Sequence, residues 1–157
     1  MAFHVLAVGR VRDAALRDAC ASYESRAGRY FKLKVLEVPD SARAGKAPAD
    51  ARKAEGAAIL KRIPAEAIAV GLTREGESED SPGFADRMSR WQREARDVYF
   101  LIGGAGGLDD AVFNRCNGQL RLSEWTLPHE LVRVVLLEQI YRAGTILKGE
   151  PYHKGRR

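Results

Sequence analysis

The chain of 157 residues is poor in cysteine and in histidine. Its 2 cysteines, Cys20 and Cys116, stand far apart without C-x-x-C spacing, and its 3 histidines are His4, His129 and His153. That set is too sparse for a structural metal site, and two lone thiols suit a reducing compartment. A cytoplasmic protein without metal is therefore expected. No apolar run approaches the roughly 20 residues that a membrane span needs. The opening MAFHVLAVGR carries no charged leader before its short apolar run, which predicts no signal peptide. Familiar catalytic signatures are missing too. There is no G-x-S-x-G, which excludes a hydrolase elbow, and no G-x-G-x-x-G dinucleotide fingerprint. Gly144 to Gly149 has P-loop spacing, but Glu150-Pro151 follows where Lys and Ser/Thr are required.

Hydrophobic residues make up 45% of the chain and charged residues 30%, an ordinary globular composition at a length that fits one domain, 1–157. The net charge of +5 is unevenly spread. Residues 1–62 carry 13 basic and 7 acidic side chains, 63–118 carry 6 and 10, and 119–157 carry 7 and 4. Two basic flanks around an acidic middle suit a polyanion partner or, equally, a solvated basic surface.

The pattern alternates between strand and helix. Phe3–Val8 reads as a strand ending at Gly9, and the spacing from Arg10 to about Tyr30 is helical. Leu33–Val38 is a second strand, stopped by Pro39. A basic loop, Ser41 to Ala49, leads to a helix over Asp50–Ile63. Ala65–Leu72 is a third strand, and Thr73–Asp80 reads as an acidic loop. Ser81-Pro82 starts a helix whose Phe84, Met88, Trp91 and Ala95 form a core stripe. Val98–Ile102 is uncharged and expected to be buried on both faces. It runs into Gly103-Gly104-Ala105-Gly106-Gly107, where glycines let backbone approach a ligand or simply turn tightly. Asp109–Asn117 is a short helix and Gln119–Leu122 a last strand. The chain predicts an α/β fold with a mostly parallel sheet flanked by helices, and ligands in such sheets sit beyond the C-terminal strand ends.

The stretch Leu120–Arg142 holds the sharpest pattern. After Ser123-Glu124-Trp125-Thr126 a helix is expected at Leu127-Pro128, with Thr126 as N-cap. That helix is apolar almost all round (Leu131, Val132, Val134, Val135, Leu136, Leu137, Ile140, Tyr141), so a second cover beyond its own sheet is expected, such as another copy of the chain. Glu138 and Arg142 share a face four residues apart, as a structural lock or as part of a site. The tail from Gly144 onward is basic and short of core residues, carries Tyr152 and His153, and reads as a frayed C-terminus, the usual fate of such tails.

Several segments together resemble the SPOUT RNA methyltransferases, and among them the RlmH type. They are Val8-Gly9, Leu101-Ile102-Gly103-Gly104 with Gly107-Leu108, Leu122-Ser123 with Thr126-Leu127-Pro128-His129, Leu131-Val132-Arg133, Tyr141-Arg142-Ala143 and Pro151-Tyr152-His153-Lys154. The resemblance implies a C-terminal deep trefoil knot over about 70–150, with a basic tail over 144–157. It implies S-adenosylmethionine as cofactor, lined by Leu72, Gly103, Gly104, Ser123, Glu124, Trp125, Thr126, Leu127 and Pro128. A homodimer with a shared active site is implied, as is methylation of N3 of a pseudouridine in a 23S rRNA stem-loop of the assembled ribosome. His153, Tyr152, Arg142 and Glu138 become the candidate catalytic residues, and Arg133 and Lys154 candidate substrate contacts. His153 could act as base or merely touch phosphate. A SPOUT enzyme acting on tRNA and a non-catalytic RNA-binding ribosome factor are the alternatives. The chain departs from the family pattern at Thr73, where an acidic residue is frequent, and at Ala105, where proline is usual. Gly144 stands where an aromatic is usual, and Gly155-Arg156-Arg157 extends the tail.

Overall fold

A computed structural model describes residues 1–153; Lys154 and the three residues after it lie outside the described residues. Five strands and five helices alternate: β1 (Phe3–Val8), α1 (Ala14–Ala27), β2 (Leu33–Val38), α2 (Pro48–Leu60), β3 (Ile68–Ser78), α3 (Ser81–Glu94), β4 (Val98–Ile102), α4 (Asp110–Arg115), β5 (Gly118–Arg121) and α5 (His129–Leu147). A 3₁₀ turn, Pro151–His153, follows. The strands form one sheet in the order β2-β1-β4-β3-β5, and every pairing in it is parallel. The uncharged β4 lies at its centre, with all five residues buried.

Side chains alternate across the sheet, as the period of two requires. Phe3, Val5 and Ala7 of β1 join Val98 and Phe100 of β4 in a core covered by α1, α3 and α5. Leu6, Val8 and Leu101 face the other way, under Ile59 of α2 and Val112 of α4. Aspartates begin three of the helices. The Asp13 carboxylate accepts from the Leu16 N–H at 2.9 Å, Asp80 from Gly83 at 2.8 Å and Asp109 from Ala111 at 3.2 Å. Among the described residues, no helix is long and apolar enough to cross a membrane, and no group of three or more His, Cys, Asp or Glu side chains could hold a metal ion.

Three expectations need correction. Helix α5 starts at His129 with Pro128 as N-cap and no side-chain cap, so Thr126 does not cap it. The Thr126 hydroxyl instead accepts from Arg74 at 3.4 Å. Residues 73–78 are not a free loop, because β3 continues to Ser78. Its register against β5 shifts between Leu72 and Glu77, so Thr73–Gly76 bulges out while the strand resumes beyond it. Glycine is needed at 76, since a Cβ there would stand 2.7 Å from the Leu120 backbone. Finally, the tail does not fray before His153. Tyr152 packs on Tyr141 with ring centroids 4.6 Å apart, and the Glu150 N–H donates to the Thr145 carbonyl at 2.9 Å.

Candidate active site

A cleft of about 710 Å³ opens at the C-terminal ends of β3, β4 and β5. Three segments wall it: Leu72–Glu75 in the β3 bulge, Gly103–Leu108 after β4, and Leu122–His129 between β5 and α5. A strand bulge and two loops thus meet at the edge where α/β sheets bind ligands. Leu72, Gly103, Gly104, Ser123, Trp125, Thr126, Leu127 and Pro128 all line the cleft. Glu124 is not among the lining residues, and its carboxylate pairs with Arg121 at 2.8 Å instead.

The glycines after β4 pack the loop against itself. A Cβ on Gly103 would stand 2.5 Å from the Gly107 carbonyl carbon, and one on Gly104 would press Val8 at 3.0 Å and Glu55 at 3.1 Å. Gly107 has φ +76, a conformation costly for any side chain. The Ser123 hydroxyl accepts from the Trp125 N–H at 2.9 Å and sets the bend of the third wall. Trp125 itself is 82% exposed. Arg52 of α2 and Arg74 at the bulge also reach the cleft, and pattern reading singled out neither. Nothing in the acidic Thr73–Asp80 run marks a strand, so the pattern carried no signal for the bulge.

The candidate catalytic residues gather elsewhere, at the far end of α5. The Glu138 carboxylate accepts from Arg142 Nε at 3.0 Å and Nη2 at 2.5 Å, and from the Tyr152 hydroxyl at 3.0 Å. The Arg142 guanidinium lies 4.7 Å from the centre of the Tyr152 ring. Its bonds to Glu138 push the Arg142 pKa further up, so it is a fixed cation. Burial, then hydrogen bonds with Glu138 and Tyr23, push the Tyr152 phenol up, so it stays protonated. His153 has a buried Nδ1 with no hydrogen-bond partner among the described residues. None of Glu138, Arg142, Tyr152 and His153 lines the cleft, whose wall on α5 ends at Val132, about 9 Å along the axis from Glu138 and about 15 Å from Arg142 at 1.5 Å per residue.

Arg133 departs from the expected role in substrate contact. It is 4% exposed, and its guanidinium donates to Glu37 at 2.5 Å and to the Gly9 carbonyl at 2.7 Å. Within one protomer it ties α5 to the ends of β1 and β2 and has no path to solvent. His129 lines the cleft at the first residue of α5. His4 is buried, stacked on Tyr99 at 4.1 Å and bonded to Asp97 at 3.1 Å. Burial pushes the Cys20 and Cys116 thiols up, away from thiolate character.

A family model described as "Predicted SPOUT methyltransferase" matches residues 1–153. The chain belongs to the SPOUT methyltransferase family. SPOUT relatives match it from end to end. "Ribosomal RNA large subunit methyltransferase H" of Gemmatimonas aurantiaca is 45% identical over 96% of this chain and 97% of that protein. The protein of the same description from Anaeromyxobacter sp. is 44% identical over 98% of this chain and all of that one. Its counterpart in Listeria monocytogenes is 38% identical over the same shares. Among solved structures, one described as a probable methylase family protein from Haemophilus influenzae superposes with a TM-score of 0.56 over 99% of this chain and 71% of that one. At 10% identity this likeness speaks for the SPOUT fold alone.

Proposed function

We propose that this SPOUT enzyme uses S-adenosylmethionine to methylate N3 of a pseudouridine in 23S rRNA of the assembled ribosome. The convergence of three backbone-rich loops on one cleft at the sheet's C-terminal edge carries the reading. Full-length relatives named as methyltransferases of large-subunit ribosomal RNA support the substrate.

The cleft suits the cofactor. Its volume is within the range of about 300–1,000 Å³ typical of small-molecule sites. The Gly103–Gly107 turn would offer main chain to a bound adenosine, and its tight fold leaves no room for a Cβ on Gly103 against Gly107. Leu72, Gly103, Gly104 and Ser123 with Trp125–Pro128 would hold it. When bound, the cofactor would supply an electrophilic methyl on sulfonium, to be attacked in line by the ring nitrogen with the neutral thioether as leaving group. The protein's part is to bind, orient and exclude water.

The ring nitrogen must lose its proton as the new bond to carbon forms. His153, whose Nδ1 has no hydrogen-bond partner among the described residues, would take it. Tyr152 stacks on the target base, and Arg142, held by Glu138, faces the oxygen on which negative charge grows.

None of the four candidate catalytic residues lines the cleft of its own protomer, which supports a homodimer whose partner brings its cluster to this cleft. Leu131 and Val135 of α5 are only partly covered, as is Glu138, and they supply a face for that contact. The same reading includes a trefoil knot over about 70–150. It is supported by α5, which follows the edge strand β5 yet packs between α1 and α3 above the sheet centre. The protein then works in the cytoplasm, where ribosomes are, as a single domain over 1–157.

The test is incubation with methyl-labelled cofactor and, separately, ribosomes, free rRNA and tRNA, followed by mass mapping of nucleosides. Label on one pseudouridine of ribosomal 23S RNA is expected. Label on tRNA, or none, overturns the reading. Mixing a cleft-defective variant (Gly103→Ala) with a tail-defective one (His153→Ala) should restore activity if the site is shared.

A further inference from the structure

The cluster on α5 continues onto α1. Tyr23 and Tyr141 lie with ring centroids 6.3 Å apart, and Tyr141 in turn packs on Tyr152. The Arg26 guanidinium sits over two of these rings, 5.4 Å from the centre of Tyr23 and 5.9 Å from that of Tyr141. The row therefore runs Arg26, Tyr23 and Tyr141, Tyr152, Arg142, with a guanidinium at each end. The two cations are not alike. Arg142 is committed to Glu138 through Nε and Nη2. Arg26 is exposed, and none of the ion pairs among the described residues includes it. A guanidinium laid on aromatic faces keeps its in-plane N–H donors turned outward, oriented without being neutralised. That is the arrangement which grips a phosphate with two parallel hydrogen bonds.

We infer that Arg26, seated on Tyr23 and Tyr141, binds a backbone phosphate of the RNA strand next to the base held at Tyr152. This rests on the function proposed above and adds to it a substrate-positioning residue on α1. Tyr23 is its platform. Because α1 and α5 are packed together through Tyr23 and Tyr141, the phosphate contact moves with Tyr152 and His153 as one unit. Wherever the target base is read, the neighbouring phosphate is read with it. The basic first third of the chain, with its 13 lysines and arginines, supplies the surrounding field.

The experiment compares the full-length wild type with Arg26→Ala and Arg26→Lys. It measures ribosome binding across a salt series, steady-state methyl transfer, cofactor affinity by calorimetry and oligomeric state by sedimentation. For Arg26→Ala, ribosome affinity and the reciprocal of KM should fall about tenfold. The slope of log affinity against log salt should become shallower by about one. kcat at saturating ribosome, cofactor affinity and sedimentation should stay unchanged. Arg26→Lys should recover the salt slope while leaving part of the affinity loss. An unchanged salt slope in Arg26→Ala overturns the inference, as does a loss explained by altered cofactor affinity or assembly. If the wild type binds ribosomes but transfers no methyl, the proposed function fails, and the salt slopes still decide whether Arg26 touches phosphate.

Discussion

Gly144 of α5 lies flat against the ring of Tyr30: a Cβ on it would stand 2.4 Å from the ring's Cγ. Tyr30 is anchored there by its hydroxyl, which donates to Glu150 at 2.5 Å. That bond, foremost among the causes, pushes the Tyr30 phenol up to about 12. The ring that covers Gly144 thus comes from Tyr30, three residues past the end of α1. Gly144→Ala should therefore destabilise by about 1–3 kcal/mol, the usual effect of overpacking, despite alanine's better helix propensity. Adding Tyr30→Ala should recover part of that loss. Urea denaturation of the two variants checks the coupling.

Arg133 should behave as a structural residue. Truncation to alanine leaves the Gly9 carbonyl without its donor and the Glu37 carboxylate without its partner. A loss of about 2–3 kcal/mol is expected, discounted because Glu37 is partly exposed. Chemical denaturation measures it. Activity per folded molecule should remain near wild type at low temperature; a stable but inactive Arg133→Ala would return this residue to the substrate site.

Gly103→Ala should weaken cofactor binding more than tenfold, because the new Cβ must push Gly107 and Leu108 out of the turn that walls the cleft. Calorimetry with S-adenosylmethionine checks affinity, and circular dichroism checks that the remaining fold is intact.

Removing Glu150–Arg157 should leave cofactor affinity nearly unchanged and abolish transfer. The cleft lies at the start of α5, whereas the deletion takes Tyr152 and His153 from its other end. Equal turnover by the truncated chain would remove the tail from the mechanism.

Acid sensitivity should centre on His4. Burial leads the causes that lower its pKa from the ordinary 6.5, outweighing the bond to Asp97. The unfolded chain then binds a proton more readily than the folded one, so the stability His4 contributes is complete above 6.5 and is lost as pH drops below it. Asp97 is itself held below 3.8 by the Ala2 N–H and His4, against burial, so its contribution disappears only at lower pH. His4→Phe should flatten the stability profile between about pH 5 and 7. Thermal melts over that range provide the check.

Periodicity and composition by themselves determined the alternation of strands and helices, the buried centre at Val98–Ile102, and the glycine turn and the bend before α5 that form two walls of the cleft. These features are local: a strand's apolar run and a loop's glycines mark each without reference to distant residues. The RNA-methyltransferase reading came from motif resemblance, and the family match agrees with it. Tertiary structure decided what depends on neighbours far along the chain. It placed Arg133 between Glu37 and Gly9 in the interior, because β1, β2 and α5 meet there. It turned Thr73–Gly76 into a bulge, because β5 pairs on both sides of it. It set Arg26 on Tyr141, and left Glu138–Arg142 outside the wall of the cleft that the first turn of the same helix lines. A sequence states which residues can be buried or charged, but only packing across more than a hundred residues decides which of them meet.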